Sequence, residues 1–157
     1  MRQLLQRAGV LLASMLFLVS GSLFMASPAQ AATCYGDYCS NKDPQATGCS
    51  VGAWTQTAVD VYAKTDFGAP NYAGRLELRT STTCGSIQWA RFTPVYGGFN
   101  YDIGAEQPET GYVTDTQHGN EWQSAWSNQI YSPQKCVRAR IITHTWISHM
   151  YFYTPCL

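Results

Sequence analysis

The residues able to do chemistry are few in this sequence, and three of them are its only histidines, His118, His144 and His149. Asp115 precedes His118 by three residues in a glycine-flanked stretch, a pattern typical of a solvated loop. In a single strand, the odd spacing of His144 and His149 would place them on opposite faces, which disfavours a shared metal ion. We therefore predict no metal site and no cofactor.

Hydrolysis would need catalytic side chains that lie close together, and no sequence motif here predicts such a group. Acyl transfer requires a nucleophile, a base and an orienting acid, and none of the many serines is predicted to act as a nucleophile. Glycoside hydrolysis requires two carboxylates across the sugar bond. Glu106 and Glu109 flank Pro108, and we interpret them as part of a solvated turn. No catalytic residue is predicted.

Aromatic residues are the most suggestive group, because the chain contains 10 Tyr and 5 Trp. Aromatic faces stack on sugar rings and anchor protein interfaces, although a small β domain also uses them in its own core. Two pairs are candidate binding residues. Trp122 and Trp126 would share a face of a helix over 120–129, and Tyr151 and Tyr153 would share a face of a strand.

Six cysteines supply the framework that would position these residues. An even number in a small exported chain predicts disulfides, which could pair in fifteen ways. We expect the first three to tie an irregular N-terminal segment to itself and to the sheet, and the last two to pair with each other. The closest two have four residues between them and no C-x-x-C pair occurs, which disfavours zinc and thiol redox sites. The six are Cys34, Cys39, Cys49, Cys84, Cys136 and Cys156.

Residues 1–31 have the pattern of a secretory signal peptide. Arg2 and Arg7 precede an apolar stretch over 10–19, and Ala29-Gln30-Ala31 fits an A-x-A cleavage site. The apolar stretch is short for a membrane span. We expect cleavage before Ala32, which leaves 32–157 as one secreted cysteine-containing domain.

The charge of 32–157 excludes some partners. Eight basic and ten acidic side chains give a formal charge of −2. No basic stripe could neutralise phosphates, so nucleic acid is not expected as a partner. No second apolar run reaches spanning length, so no membrane contact is expected after cleavage.

Short runs with alternating polarity predict strands over 59–63, 75–79, 87–90, 112–116, 137–141 and 150–153. Residues 80–85 suit a turn between the second and third runs, and Gly97-Gly98 suits a tight hairpin. Residues 120–129 fit a helix, while 126–131 fit a strand almost as well. With no long helix between strands, the pattern favours an all-β or β-rich fold, a small antiparallel barrel or sandwich stapled by three disulfides.

Several segments carry a family resemblance. Residues 34–39 read CYGDYC, 41–44 read NKDP and 47–49 read TGC, followed by LELR at 76–79, WAR at 89–91 and KCVRA at 135–139. Together they resemble the secreted "domain of unknown function 2690" family of Gram-positive bacteria. The resemblance implies an exported, disulfide-bonded domain, and it transfers no catalytic residue. Residues 96–109 and the aromatic tail at 146–153 match the family less well.

We therefore expect a non-enzymatic secreted domain that binds an extracellular or cell-envelope surface, with polysaccharide as the favoured ligand. Two alternatives remain open. A protein inhibitor of a peptidase or muramidase would need an ordered, protruding loop, for which 41–47 is the candidate. A small hydrolase would need a cleft with convergent titratable groups.

Overall fold

The predicted β-rich fold is confirmed. The computed structural model describes residues 31–64, 69–95, 99–115, 117–119, 122–144 and 148–157. A single turn of 3-10 helix, Gly36–Cys39, precedes the strands. In chain order the strands are β1 Trp54–Ala63, β2 Asn71–Ser81, β3 Ile87–Pro94, β4 Asn100–Gln107, β5 Tyr112–Val113, β6 Gln117–Gly119, β7 Ala125–Trp126, β8 Ile130–Tyr131, β9 Arg138–His144 and β10 His149–Tyr153.

These strands form two antiparallel sheets. In the first sheet the order is β1-β2-β3, and both β7 and β8 pair with the far edge of β3. In the second sheet the order is β10-β9-β4, and both β5 and β6 pair with the far edge of β4. Within the described strands no ladder joins the two sheets, so the arrangement is sandwich-like and not a closed barrel.

The core lies between the sheets and is built from the inward positions of both. Strand β9 shows the pattern, because Ala139 and Ile141 are fully buried while Arg140 and Ile142 lie half-buried on the opposite face. A fully buried Ile or Leu contributes about 2 kcal/mol of hydrophobic free energy. The buried cluster contains Val61, Ala63, Ala73, Leu76, Leu78, Ala90, Phe92, Phe99, Tyr101, Ile103, Ala105, Ile130, Val137, Ala139 and Ile141.

Strands β2 and β3 form the predicted adjacent antiparallel pair, with Leu76 opposite Phe92 and Leu78 opposite Ala90. One detail differs from expectation. Alternation places Glu77 on the polar side of its strand, yet its side chain is only 10% exposed and pairs with Arg91. Gln45, Ser50 and Ala53, which precede β1, line one depression with Arg79 and Arg91 on this face, a neighbourhood that the alternation pattern does not reveal.

Three disulfides join the six cysteines, as predicted. Cys34 bonds to Cys39, Cys49 to Cys84, and Cys136 to Cys156. The first bridge closes the N-terminal segment on itself, and the second fastens that segment to the turn between β2 and β3. The third pins the C-terminal end beside β9. Such bonds persist in oxidising compartments.

The N-terminal segment is irregular, as predicted, and a buried glutamine fastens it to the sheet. The side-chain amide of Gln129 donates to the carbonyl of Cys39 at 3.0 Å. The backbone of Gln129 also accepts from Asn41 and donates to Lys42. These bonds satisfy backbone groups that would otherwise be buried unpaired, which is costly.

Three local predictions were wrong. Residues 122–129 form no helix, and the strand alternative holds only at β7 and β8. The predicted strand over 112–116 is limited to Tyr112–Val113. Gly97-Gly98 lies outside the described residues, but the flanking strands β3 and β4 belong to different sheets and therefore form no hairpin.

The expected signal peptide also lies outside the described residues, apart from Ala31. No helix in the described part of the chain has the length and apolarity needed to cross a bilayer.

Candidate functional site

The outer face of the second sheet, which points away from the core, gathers most of the chemistry-bearing residues. Side chains opposite one another in antiparallel strands share a face. Tyr151 on β10 is opposite Ile142 on β9, which is opposite Asp102 on β4, which is opposite His118 on β6. The adjacent row contains His149, His144 and Asn100. Period-two alternation thus places all three histidines on one surface with Asp102.

Asp102 joins two of these histidines. Its Oδ2 lies 2.9 Å from Nε2 of His144, and its Oδ1 contacts Nδ1 of His118. An ionised carboxylate only accepts hydrogen bonds, so both of these ring nitrogens carry a proton. Burial tends to raise the pKa of Asp102, but the hydrogen bonds and charges of His144 and His118 outweigh it and lower the pKa below its usual value.

His144 and His149 contradict the opposite-face expectation. They face each other as the last pair of the β9–β10 ladder, and their Nδ1 atoms lie 2.7 Å apart. The expectation assumed one continuous strand, whereas the chain reverses between them and pairs the two residues. The histidines and Asp102 therefore form one chain of contacts, His118–Asp102–His144–His149.

A cleft of about 560 Å³ opens beside this chain of contacts, a size that suits a small ligand or one or two sugar rings. Asn100, Asp102, His118 and His144 line it, together with Tyr101, Gly119 and Gln123. Its polar lining offers a carboxylate, imidazoles and amides. These groups can both donate and accept hydrogen bonds.

Tyr101 connects this cleft to the core. Its ring packs edge-on against Phe92 with centroids 4.8 Å apart, while its hydroxyl donates to the backbone carbonyl of Gln123. Burial raises the pKa of this phenol. A side chain at Gly119 would collide with the Tyr101 ring, so the close approach of β6 to β4 requires glycine.

The predicted pair Trp122 and Trp126 does not form a shared platform. Trp122 is 70% exposed and precedes Gln123, one of the cleft residues. Trp126 is half-buried in β7, where its indole N–H donates to Asp43 at 3.2 Å. Without the helix, the four-residue spacing no longer places the two rings on one face. Trp122 also has a φ of +76°, which is uncommon for a bulky residue and costs free energy.

The other predicted pair is placed as expected, on one face of β10. Tyr151 is 56% exposed and Tyr153 is 36% exposed. The guanidinium of Arg138 lies 3.9 Å from the ring centre of Tyr153, and Arg138 also pairs with Glu106 at 3.0 Å. One face of the Tyr153 ring is therefore occupied within the protein, and Tyr151 is the freer of the two.

Arg140 stands between these groups without a counter-ion. It is opposite Tyr153 on one side and Gly104 on the other. No carboxylate among the described residues lies within ion-pair distance of it, and its Nε is buried without a hydrogen-bond partner there. Within the part of the chain that the structure describes, the guanidinium of Arg140 on this face is therefore unpaired.

The remaining acidic candidates either bond to other groups of the domain or lie in a turn outside the cleft. Asp115 accepts from the Asn41 side chain at 2.8 Å and does not partner His118. Glu106 pairs with Arg138, and Glu109 is exposed in the turn after β4. Among the described residues, no second carboxylate joins Asp102 in the lining of the cleft, as a glycosidase would require.

The loop at 41–47, the inhibitor candidate, lies against the domain. Pro44 and Thr47 are buried, and Asp43 accepts from the backbone N–H groups of Gln45 and Ala46. The four sulfur atoms of Cys34, Cys39, Cys49 and Cys84 also lie close together. They form two disulfides, so they have no thiolates with which to bind a metal ion.

Two features escaped the sequence reasoning. Asp102 lies between the inward-facing Tyr101 and Ile103, an alternation that marks it as outward-facing. Ser50 occupies a G-x-S-x-G pattern, Gly48 to Gly52. It lies in a turn before β1, and not at the strand-to-helix elbow that activates such serines.

Comparison with protein-family models, with curated proteins and with solved structures gives no match.

Proposed function

We propose that this chain is an exported, disulfide-bonded domain that binds a polysaccharide through the outer face of its second sheet. One observation carries the proposal. The exposed ring of Tyr151 lies in the same cross-strand row as Asp102 and His118, beside a polar cleft. Neighbouring strands are about 4.8 Å apart, so the backbones of Tyr151 and Asp102 are about 10 Å apart.

This spacing suits a carbohydrate. An aromatic ring stacks on the apolar face of a sugar, while carboxylate, amide and imidazole groups hydrogen-bond its hydroxyls. A ligand of two or three rings would reach from Tyr151 to the cleft. Trp122, which is 70% exposed, precedes the cleft residue Gln123, and we propose that its ring adds a second stacking surface.

The arrangement differs from a flat aromatic platform. Tyr62 and Tyr72, two exposed tyrosines of the first sheet, lie 6.0 Å apart with their planes at 68°. Such an edge-to-face pair cannot stack on one flat sugar surface. The proposal therefore depends on single rings combined with polar groups, and it locates binding on the second sheet.

Arg140 favours an acidic polysaccharide over a neutral one. An unpaired guanidinium binds carboxylate or phosphate groups bidentately. Among the described residues of this face, Arg138 is paired with Glu106 whereas Arg140 has no carboxylate partner, so the guanidinium of Arg140 is available to a ligand. Replacing Arg140 with Gln should weaken retention on acidic matrices several-fold and leave retention on neutral ones unchanged.

Export is part of the proposal. The three disulfides fit an oxidising extracellular environment, and residues 1–31 would supply the signal peptide. We also propose membership of the "domain of unknown function 2690" family. Its motif segments at 34–49, 76–79 and 89–91 meet around the Cys49–Cys84 bridge and the paired strands β2 and β3.

The test is retention of the oxidised protein on insoluble glycans and purified cell wall, with a reduced control. Tyr151→Ala should lower retention at least five-fold. Tyr72→Ala, which removes an equally aromatic exposed ring from the first sheet, should not change it. Equal retention of both variants and the parent, or no retention on any matrix, would sink the proposal and turn the search toward a protein partner.

A small hydrolase is the second candidate, because the cleft does contain convergent titratable groups. Asp102 orients His118, whose Nε2 is left to act as a general base toward a bound substrate. The same binding experiment separates the two functions, since a hydrolase would release soluble fragments from the matrix. His118→Ala would then abolish release while retention of the protein persisted.

A further inference from the structure

We propose that His144 and His149 bind a divalent transition-metal ion through their Nδ1 atoms, with Asp102 as the residue that positions His144. The inference does not rest on glycan binding, although Asp102 and His144 also line the cleft described above. It follows from the hydrogen-bond chemistry of three side chains on β4, β9 and β10.

The tautomer of His144 is fixed by Asp102. Because Nε2 of His144 lies 2.9 Å from a carboxylate oxygen, the ring proton resides on Nε2 and Nδ1 has a free lone pair. That lone pair points at Nδ1 of His149, 2.7 Å away. Two ring nitrogens this close require one positive or partly positive centre between them, either a proton or a metal ion.

A metal ion can take the place of that proton with a small movement. Zinc binds imidazole nitrogen at about 2.0–2.1 Å, so two such nitrogens around a tetrahedral ion lie about 3.3 Å apart. The pair must therefore open by about 0.6 Å. His144 and His149 form the last described pair of their ladder, so this opening can leave the pairs from Thr143 and Met150 onward in place. The ring planes lie 77° apart, which lets both lone pairs converge on one ion.

Asp102 contacts His144 in the way that carboxylates contact metal-binding histidines. A ligating imidazole almost always donates its other N–H to a carboxylate or carbonyl, which orients the ring and raises its basicity. Asp102 does this for His144 before any metal binds. It is partly withdrawn from solvent, with its side chain 22% exposed, so its orientation is held by the sheet.

The donor set selects the class of metal. Imidazole ligands suit Cu²⁺, Ni²⁺ and Zn²⁺, whereas Mg²⁺ and Ca²⁺ require oxygen. Among the described residues no third imidazole, carboxylate or thiolate joins these two within coordinating distance. The remaining positions would be filled by water or by an exogenous ligand. Affinity should follow the usual order, with Cu²⁺ above Ni²⁺ and Zn²⁺.

The experiment is calorimetric titration of the full chain, exported by an expression host and purified with its disulfides intact, with Cu²⁺, Ni²⁺, Zn²⁺ or Mg²⁺ salts in a non-chelating buffer. We expect one ion per chain for the first three and no binding of Mg²⁺. His149→Ala, at an exposed strand end, should abolish binding. Asp102→Asn should weaken it 10- to 100-fold, the range found for such supporting carboxylates.

His118→Ala is the matched control, because it removes an imidazole that also contacts Asp102 but lies away from the two Nδ1 atoms. It should change affinity less than three-fold. Electron paramagnetic resonance of the Cu²⁺ complex should show coupling to two imidazole nitrogens in the parent and in His118→Ala, and this signal should be absent from His149→Ala. Equal affinity of the parent and His149→Ala, or loss of binding in His118→Ala alone, would overturn the proposal.

Discussion

Two regions of this protein contain similar side chains and use them differently. The stapled region consists of the N-terminal segment 34–50 with the parts of β2, β3 and β7 that it covers. The second region is the outer face of the second sheet. Both contain aromatic rings, carboxylates and arginines. In the stapled region the carboxylates and arginines bond to one another, although the rings of Tyr35 and Tyr38 are 72% exposed. On the outer face several polar groups are left available.

Glu77 shows how closed the stapled region is. Its carboxylate accepts from Thr55 at 2.7 Å and from Arg91 at 2.5 Å, and Arg79 in turn donates to Thr55 at 2.7 Å. Trp126 is similarly engaged with Asp43. Every strong donor in this group has a partner inside the protein, so little remains for a ligand.

The outer face has the opposite character. Arg140 has no counter-ion among the described residues, and His144 presents its second nitrogen to His149 at the exposed end of a hairpin. Tyr151 is more than half exposed. Residue type alone therefore does not identify a site. What distinguishes the two regions is whether neighbouring groups already satisfy each side chain.

The largest expected effect comes from opening the stapled region. Replacing Cys49 and Cys84 together with Ala frees a 35-residue separation, for which loop-closure entropy predicts a loss of about 4 kcal/mol. Urea unfolding would measure the change. The matched replacement of Cys136 and Cys156, with a separation of 20, should cost about 3 kcal/mol. A smaller loss for the first pair than for the second would contradict the stapling role.

Breaking the buried ion pair should have the next largest effect. Glu77→Gln leaves Arg91 and Thr55 without their acceptor charge, and we expect a loss of about 2 kcal/mol because the glutamate is buried while the arginine is partly solvated. Asp60→Asn is the control, since Asp60 is exposed on β1 and should change stability by less than about 0.5 kcal/mol. Similar losses of stability in Glu77→Gln and Asp60→Asn would show that the ion pair of Glu77 contributes no more than an exposed carboxylate does.

Tyr101 packs against Phe92 of β3 and also lines the cleft of the second sheet. Removing its hydroxyl should cause a loss of stability of intermediate size. Tyr101→Phe removes the hydrogen bond to Gln123 and should cost about 1 kcal/mol near neutral pH. Because burial raises the pKa of Tyr101, the parent keeps its full stability below the unfolded pKa of about 10 and loses this contribution as the pH rises through the folded value.

Phenylalanine cannot ionise, so the stability of Tyr101→Phe does not change through this titration. The difference in stability between the parent and the variant should therefore shrink above pH 10. Unfolding midpoints of both proteins, measured between pH 7 and 11, test this. A stability difference that stays constant across that range would show that the pKa of Tyr101 is the same in the folded and the unfolded protein, contrary to its rise on burial.

Much of the stapled region could be predicted from sequence, because its signals are local. Alternation around Leu76 and Leu78 identifies β2, a turn-rich stretch links it to β3, and an even number of cysteines implies bridges. The outer face depends on pairing between distant segments. Asp102 meets His118 and His144 only because β6 and β9 both pair with β4.

The same long-range pairing explains the errors. Gly97-Gly98 has hairpin composition, but β3 continues the first sheet while β4 enters the second. The spacing of His144 and His149 predicted opposite faces because it was interpreted within one strand. The two residues instead belong to antiparallel strands and are paired on one face. Helical periodicity could not place Trp122, because the residue lies in a turn with a positive φ and not in a helix.

The smallest effect on stability should accompany one of the larger effects on binding. Tyr151 is exposed on an edge strand, so Tyr151→Ala should change the free energy of unfolding by less than about 0.5 kcal/mol. The same change removes the ring proposed to stack on the ligand and should reduce glycan retention at least five-fold. Glu77→Gln provides the reverse case, since it should lower stability and leave retention intact below the unfolding transition. If the two variants instead lost stability and binding in parallel, the stapled region and the outer face would not be functionally separate.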